Sequence, residues 1–161
     1  MTSTVSIETT PNAAPEHLLI VEVRGQLFGF EATYLREVIP ARAATRIPGA
    51  PPQVKGLINL RGSLIVVADV AMRLLGEDGA GPAGDDGSIA LVEWDGKSLG
   101  LAVQDVRDVV ALEVEPIEGT GTAMLVSGQS PPASLCRGVG RLEGEIVIVL
   151  DVAALARQVV A

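Results

Sequence analysis

The sequence predicts a mainly β protein: two pseudo-repeated five-stranded barrels joined by a linker, with short helices and a C-terminal helix. Three observations predict this. The chain repeats itself internally, each copy holds two dipeptides ending in Gly between apolar runs, and 48% of residues are hydrophobic while only 2% are aromatic. Such an interior is filled by Val, Leu, Ile and Ala.

The repeat decides the architecture before any local reading. VEVRGQLFGFEATYLREVI, from Val21, aligns with VEWDGKSLGLAVQDVRDVV, from Val92, with Gly25, Gly29, Arg36 and Val38 matching Gly96, Gly100, Arg107 and Val109 at a spacing of 71 positions. GLINLRGSLIVVADVAMRL, from Gly56, aligns with GVGRLEGEIVIVLDVAALA, from Gly138, so that Gly62 matches Gly144 and Asp69 matches Asp151 at a spacing of 82. The difference is an eleven-residue insertion in the second copy, within the Gly-, Ser-, Thr- and Pro-rich stretch from Glu113 to Arg137.

Residues 1–16 are polar, hold two Pro and lack periodicity, so they read as a disordered tail ahead of one domain at 17–161. The first barrel spans about 18–75. Arg24-Gly25 and Arg61-Gly62, then Asp95-Gly96 and Glu143-Gly144, supply hairpin turns, because Gly provides the positive φ that tight turns need. Ala32 to Val38 and Val103 to Val109 have room for about one helical turn before a further strand. Asp69 and Asp151 end apolar runs and precede helical segments, which fits N-caps that accept hydrogen bonds from the first free helix N–H groups. The linker over 76–88 carries GEDGAGPAGDDG, a flexible composition; the second barrel follows at about 89–150 and the C-terminal helix at 151–160. Closing five strands into a barrel removes exposed sheet edges.

A formal charge of −8 argues against nucleic acid, whose phosphates require clustered Lys and Arg. The single Cys136 excludes an intramolecular disulfide and fits a reducing cytoplasm. No apolar run reaches the roughly 18 to 20 residues that a membrane-spanning helix needs, so direct membrane insertion is not expected.

Enzyme chemistry is thinly represented. His17 is the only histidine and stands at the junction of tail and first strand. Cys136 lies beside Arg137, which favours a thiolate, yet no base is near in sequence, and a buried inert Cys is the simpler reading. No metal-ligand spacing and no phosphate-binding Gly loop occurs, so no metal or cofactor is expected. Asp69 and Asp151 as paired catalytic carboxylates would require two equivalent barrel positions to meet. Arg61 stands out because its counterpart is Glu143: the turn itself requires no base, which leaves a functional role beside a solvated hairpin Arg.

The run Pro48, Gly49, Pro51, Gly56, Asn59, Leu60, Arg61, Gly62 and Asp69, with FGFEATYLREVI before it and LGLAVQDVRDVV after it, resembles the CheW family from about Leu18 to Arg157. The resemblance implies two five-stranded, SH3-like barrels enclosing a groove and a chemotaxis scaffold without catalysis. It implies binding of the chemoreceptor cytoplasmic tip and of the CheA regulatory domain, and contact with other CheW-like domains in rings within membrane receptor arrays.

Carried over residue by residue, the receptor-tip groove would involve Leu35 and Glu37 on the short helix, Arg61 at the following hairpin, Leu101 and Val103 on the opposite wall, and Gly56 permitting close backbone approach. Apolar contact would supply affinity and charge would fix register. Arg46, Ile47 and Leu57 would face the kinase. A ring contact would use the second barrel, near the insertion around Gly119 to Ser130. Two departures from the family pattern stand out: Val66 replaces a customary Pro, which restores a ladder N–H, and Gln104 replaces a customary Asp, which removes a charge from a structural hydrogen bond. Two other readings stay open: a related subunit of a motility, pilus or biofilm pathway that binds receptor without kinase, and a small enzyme with an inter-barrel site.

Overall fold

Four tight turns organise the strands. Arg24, Arg61, Asp95 and Glu143 have φ of 51°, 51°, 53° and 51°, and the glycines that follow have φ of 80°, 90°, 75° and 85°. Two successive positive φ values are the signature of the type I′ turn, whose twist matches that of the flanking strands. The recurring dipeptides therefore make four hairpins, as the sequence predicts.

The computed structural model describes residues 15–75, 87–116 and 133–160. In chain order these form β1 (Glu16–Val23), β2 (Gln26–Glu31), a 3₁₀ turn (Ala32–Tyr34), β3 (Leu35–Pro40), β4 (Val54–Leu60), β5 (Ser63–Asp69) and α1 (Val70–Leu75). The second copy supplies β6 (Ser88–Trp94), β7 (Lys97–Val103), β8 (Asp105–Leu112), β9 (Glu115–Pro116), a 3₁₀ turn (Ala133–Leu135), β10 (Cys136–Leu142), β11 (Glu145–Leu150) and α2 (Val152–Val160). The protein is mainly β, with two sheets and few short helices.

The pairing corrects the expectation of one contiguous barrel at 18–75 and another at 89–150. The six-stranded sheet has the order β9-β10-β11-β2-β1-β8, and the five-stranded sheet β3-β6-β7-β5-β4. Each sheet joins the first hairpin of one copy to the later strands of the other. The joins are parallel: β11 on β2, with Ile148 opposite Phe28, and β5 on β7, with Val67 opposite Gly100. The chain changes sheet at Ala32–Tyr34 and returns at Gln104, between β7 and β8. A repeat identifies equivalent residues; it does not say which copy each strand pairs with, because ladder hydrogen bonds are backbone bonds common to both.

Three smaller expectations shift as well. The stretch from Val103 to Val109 holds no helical turn, only a break at Gln104 before β8. The expected tail over 1–16 overruns the first strand, which begins at Glu16; residues 1–14 lie outside the described residues, as do 76–86 of the linker and the insertion around Gly119 to Ser130. Ser88, the end of the expected linker, already pairs with Pro40 in β6.

Alternation along the strands explains the core. In β1, Leu18 and Ile20 join Leu27, Leu112, Val147 and Val149 in one cluster, while Leu19, Val21 and Val23 point the other way. In β6, Ile89 and Leu91 join Ile39, Ile58, Ile65 and Val67, while Ala90 and Val92 turn away. The outward sets of both sheets meet in a third, larger cluster with Phe28, Phe30, Leu99, Leu101 and Ile148. Strands buried on both faces read as near-continuous apolar runs, as HLLIVEV and SIALVEW do. Each fully buried side chain of this kind stabilises by roughly 1.5 to 3 kcal/mol.

Both helices close that shared core. Oδ1 of Asp69 accepts from the Met72 N–H and Oδ1 of Asp151 from the Ala154 N–H, each at 3.1 Å, so both acids are N-caps as their positions predict. From α2, Val152, Leu155 and Ala156 enter the core, and the Arg157 guanidinium lies 5.7 Å from the Trp94 ring, tying the helix to β6.

Candidate functional site

The turn between β4 and β5 carries Arg61, and β3, at the opposite edge of the same sheet, carries Glu37. Arg61 Nη2 donates to Glu37 Oε1 at 2.5 Å, although the side chains remain 68% and 39% exposed. Curvature of the sheet brings the two edges together, and Arg42 Nη1 spans them again by donating to the Asn59 carbonyl at 3.2 Å. Asn59 Oδ1 in turn accepts from the Gly62 N–H at 3.0 Å. Exposed ion pairs contribute about 0 to 1 kcal/mol to folding, so fold stability is a poor reason for this arrangement.

Three residues after Arg61, on β5, Leu64 is 69% exposed. Its neighbour in the strand, Ile65, enters the core and Leu64 takes the opposite side. A charge pair beside an exposed aliphatic side chain suits a partner that is itself amphipathic. The sequence reading missed Leu64, along with Val38, Val109 and Ile146, the other large exposed apolar residues among those described. A signal existed in the repeat: Val38 matches Val109, and Leu64 matches Ile146.

The structure does not gather all six expected receptor-binding residues. Leu35 and Glu37 lie on strand β3 and not on a short helix, which ends at Tyr34. Leu35 is half-buried and packs against the shared core. Leu101 and Val103, expected on a groove wall, are 0% and 6% exposed within that core. The correction has a simple cause: β7 is a central strand with the six-stranded sheet packed over it, so apolar side chains fill the space that the expectation left as a groove.

Gly56 does permit close approach, but of the protein's own backbone. Thr45 and Leu57 exchange two backbone hydrogen bonds of 2.8 Å, laying the segment before β4 along its edge. A Cβ on Gly56, whose φ is +144°, would stand 2.2 Å from the Thr45 carbonyl oxygen. The second copy repeats the device, since Glu115 opposite Val139 lays β9 along β10, and a Cβ on Gly138 would stand 2.6 Å from the Glu115 oxygen. The Thr45–Leu57 bridge also brings together the expected kinase-facing residues: Arg46 is exposed, and Ile47 and Leu57 are half-buried.

The remaining candidates are structural. Burial pushes the Cys136 thiol up to about 11, so it is not a thiolate near neutral pH. Burial alone would lower the pKa of the neighbouring Arg137 guanidinium, but its hydrogen bond to Glu16 and the charges of Glu16, Glu31 and Asp151 hold it above the ordinary arginine value. Arg137 pairs with both Glu16 and Glu31, fastening the start of β1 and the end of β2 to β10. His17 is exposed on β1. Gln104 Oε1 accepts from the Arg24 N–H at 2.8 Å, so a neutral amide serves there. Val66 sits in β5 between β4 and β7, an interior position where a strand gains from an N–H. Among the described residues no group of three or more His, Cys, Asp or Glu could hold a metal, and no helix is long and apolar enough to cross a membrane.

A family model described as the CheW-like domain matches residues 17–160. The chain is 24% identical over 137 residues to the chemotaxis protein CheW of Treponema pallidum, covering 84% of this chain and 78% of that protein. It is 28% identical over 134 residues to the chemotaxis protein CheW of Rhizobium meliloti, covering 83% of each. The crystal structure of the scaffolding protein TtCheW from Thermoanaerobacter tengcongensis shares the fold, with a TM-score of 0.72 at 24% identity over 85% of this chain and 84% of that one. With nearly the whole described chain inside the family match, from the first strand to the C-terminal helix, the chain belongs to the CheW family of non-enzymatic scaffold proteins.

Proposed function

We propose that the protein couples chemoreceptors to the histidine kinase CheA, holding both at the cytoplasmic side of a membrane receptor array. The observation that carries this reading is the exposed Glu37–Arg61 pair beside Leu64 on a chain of this family. An amphipathic helical hairpin tip would place apolar residues on Leu64 and fix its register against the charges. Leu35, half-buried, lies on the strand that carries Glu37, whereas Leu101 and Val103 belong to the shared core and take no part in that surface. The kinase regulatory domain would take Arg46, Ile47 and Leu57, on the strap along the edge of β4. Contact with further CheW-like domains in rings would use the second-copy surface around Val109 and Ile146.

The test is a pull-down of the purified chain with a receptor cytoplasmic fragment and with the CheA regulatory domain, each alone. Retention of both supports coupling. Retention of the receptor fragment alone favours a subunit of another chemosensory pathway, and retention of neither overturns the proposal.

A further inference from the structure

The two copies act as an internal control on what a hairpin of this type requires. The Arg61-Gly62 and Glu143-Gly144 turns share their backbone, with φ of 51° and 90° in one and 51° and 85° in the other. Yet the side chains around them differ at every polar position. Asn59, Arg42 and Glu37 in the first copy correspond to Arg141, Glu113 and Asp108 in the second. Three polar contacts therefore surround the first turn: Asn59 Oδ1 to the Gly62 N–H at 3.0 Å, Arg42 to the Asn59 carbonyl at 3.2 Å, and Arg61 to Glu37 at 2.5 Å. At the second turn Asp108 and Glu143 are both acids and cannot form the corresponding ion pair.

Since the fold makes the same turn without these groups, their presence in the first copy is not explained by the turn. Arg61 carries a long side chain on a residue with positive φ, and it loses rotamer freedom on pairing. Anchoring its backbone reduces the number of directions in which the guanidinium can point. Asn59 fixes the turn from inside by binding the N–H next to Arg61, and Arg42 fixes Asn59 from the segment that follows β3, the strand bearing Glu37. We propose that Asn59 and Arg42 are positioning residues that hold Arg61 against Glu37 in the geometry presented to the receptor. This rests on the assignment of that pair to receptor binding, and it adds two residues that act through Arg61 without needing to touch the partner.

The experiment combines a double-mutant cycle with a reading on the free protein. Affinity for a chemoreceptor cytoplasmic fragment is measured for the parent, Asn59→Ala, Arg61→Ala and the double variant, with Arg141→Ala as the second-copy control. Asn59→Ala should weaken binding about three- to tenfold, the weight of one neutral hydrogen bond, and should cost nothing further once Arg61 is Ala. Arg42→Ala should behave likewise, and Arg141→Ala should leave affinity unchanged. A merely loosened hairpin would cost affinity in both backgrounds, which would overturn the proposal.

In the free protein, the Arg61 Nε–Hε resonance should shift and broaden in Asn59→Ala. An unmoved resonance overturns positioning whatever the binding result. If Arg61→Ala leaves affinity unchanged while the resonance still responds to Asn59, the site assignment fails and the proposed link to binding falls with it.

Discussion

Arg36 pairs with Glu93 at 3.2 Å, and Arg107 pairs with Glu22 at 2.6 Å, an ion pair displaced by 71 positions and reversed between the copies. The first joins β3 of the first copy to β6 of the second; the other joins β8 of the second copy to β1 of the first. Hydrogen bonding and charge from Glu22 raise the Arg107 pKa above the ordinary arginine value. The pairs mark the exchange of strands on which both sheets depend.

Cleavage between the copies should therefore leave the protein assembled. With a protease site introduced within 76–86, the nicked chain should elute as one species in native gel filtration and separate into two pieces only in denaturant. Pieces that part under native conditions would contradict the interleaved sheets.

Leu101→Ala should destabilise the protein by about 2 to 5 kcal/mol through lost burial and the cavity left behind, as read from urea unfolding. Leu101 has no exposed surface, so any loss of partner binding should track the unfolded fraction. Selective loss of binding in a fully folded variant would restore this residue to a contact surface.

Gly56→Ala and Gly138→Ala should each cost about 1 to 3 kcal/mol or more, because the new methyl would meet a backbone carbonyl oxygen that helps close the sheet edge. Gly25→Ala, whose Cβ would meet nothing within 4 Å, should cost less and only through its φ of +80°. Thermal unfolding of the three variants gives the order.

The Cys136-dependent part of stability should fall at alkaline pH. Its folded pKa of about 11 lies above the ordinary thiol value of 9.0, so the folded state holds its proton more tightly than the unfolded chain. The resulting contribution is complete below about pH 9 and declines as pH rises toward 11. Comparing the parent with Cys136→Ala across that window isolates the effect, and a difference independent of pH would contradict it.

What was legible in the sequence follows the range of the interaction. The four turns are local, so each dipeptide announced its own backbone, and the caps at Asp69 and Asp151 were equally local. Arg61 was legible as an exception, because the repeat offered Glu143 at the same place. Leu101 and Val103 misled because they were carried over from the resemblance, and residue identity alone does not reveal that a second sheet covers their face of the strand. The exchange of strands was hidden for a similar reason: both copies present compatible apolar edges, and only long-range packing selects between them. Gly56 was legible as a point of close backbone approach, and the backbone that approaches it is that of Thr45.

Simultaneous binding tests the central claim most directly. The chain, a chemoreceptor cytoplasmic fragment and the CheA regulatory domain are mixed and their assembly is followed by sedimentation velocity, with Arg61→Glu and Ile47→Asp variants alongside. A coupling scaffold predicts a ternary complex, with Arg61→Glu losing only the receptor fragment and Ile47→Asp only the kinase domain while both variants stay folded. Mutually exclusive binding of the two partners, or a failure to bind either, would contradict it.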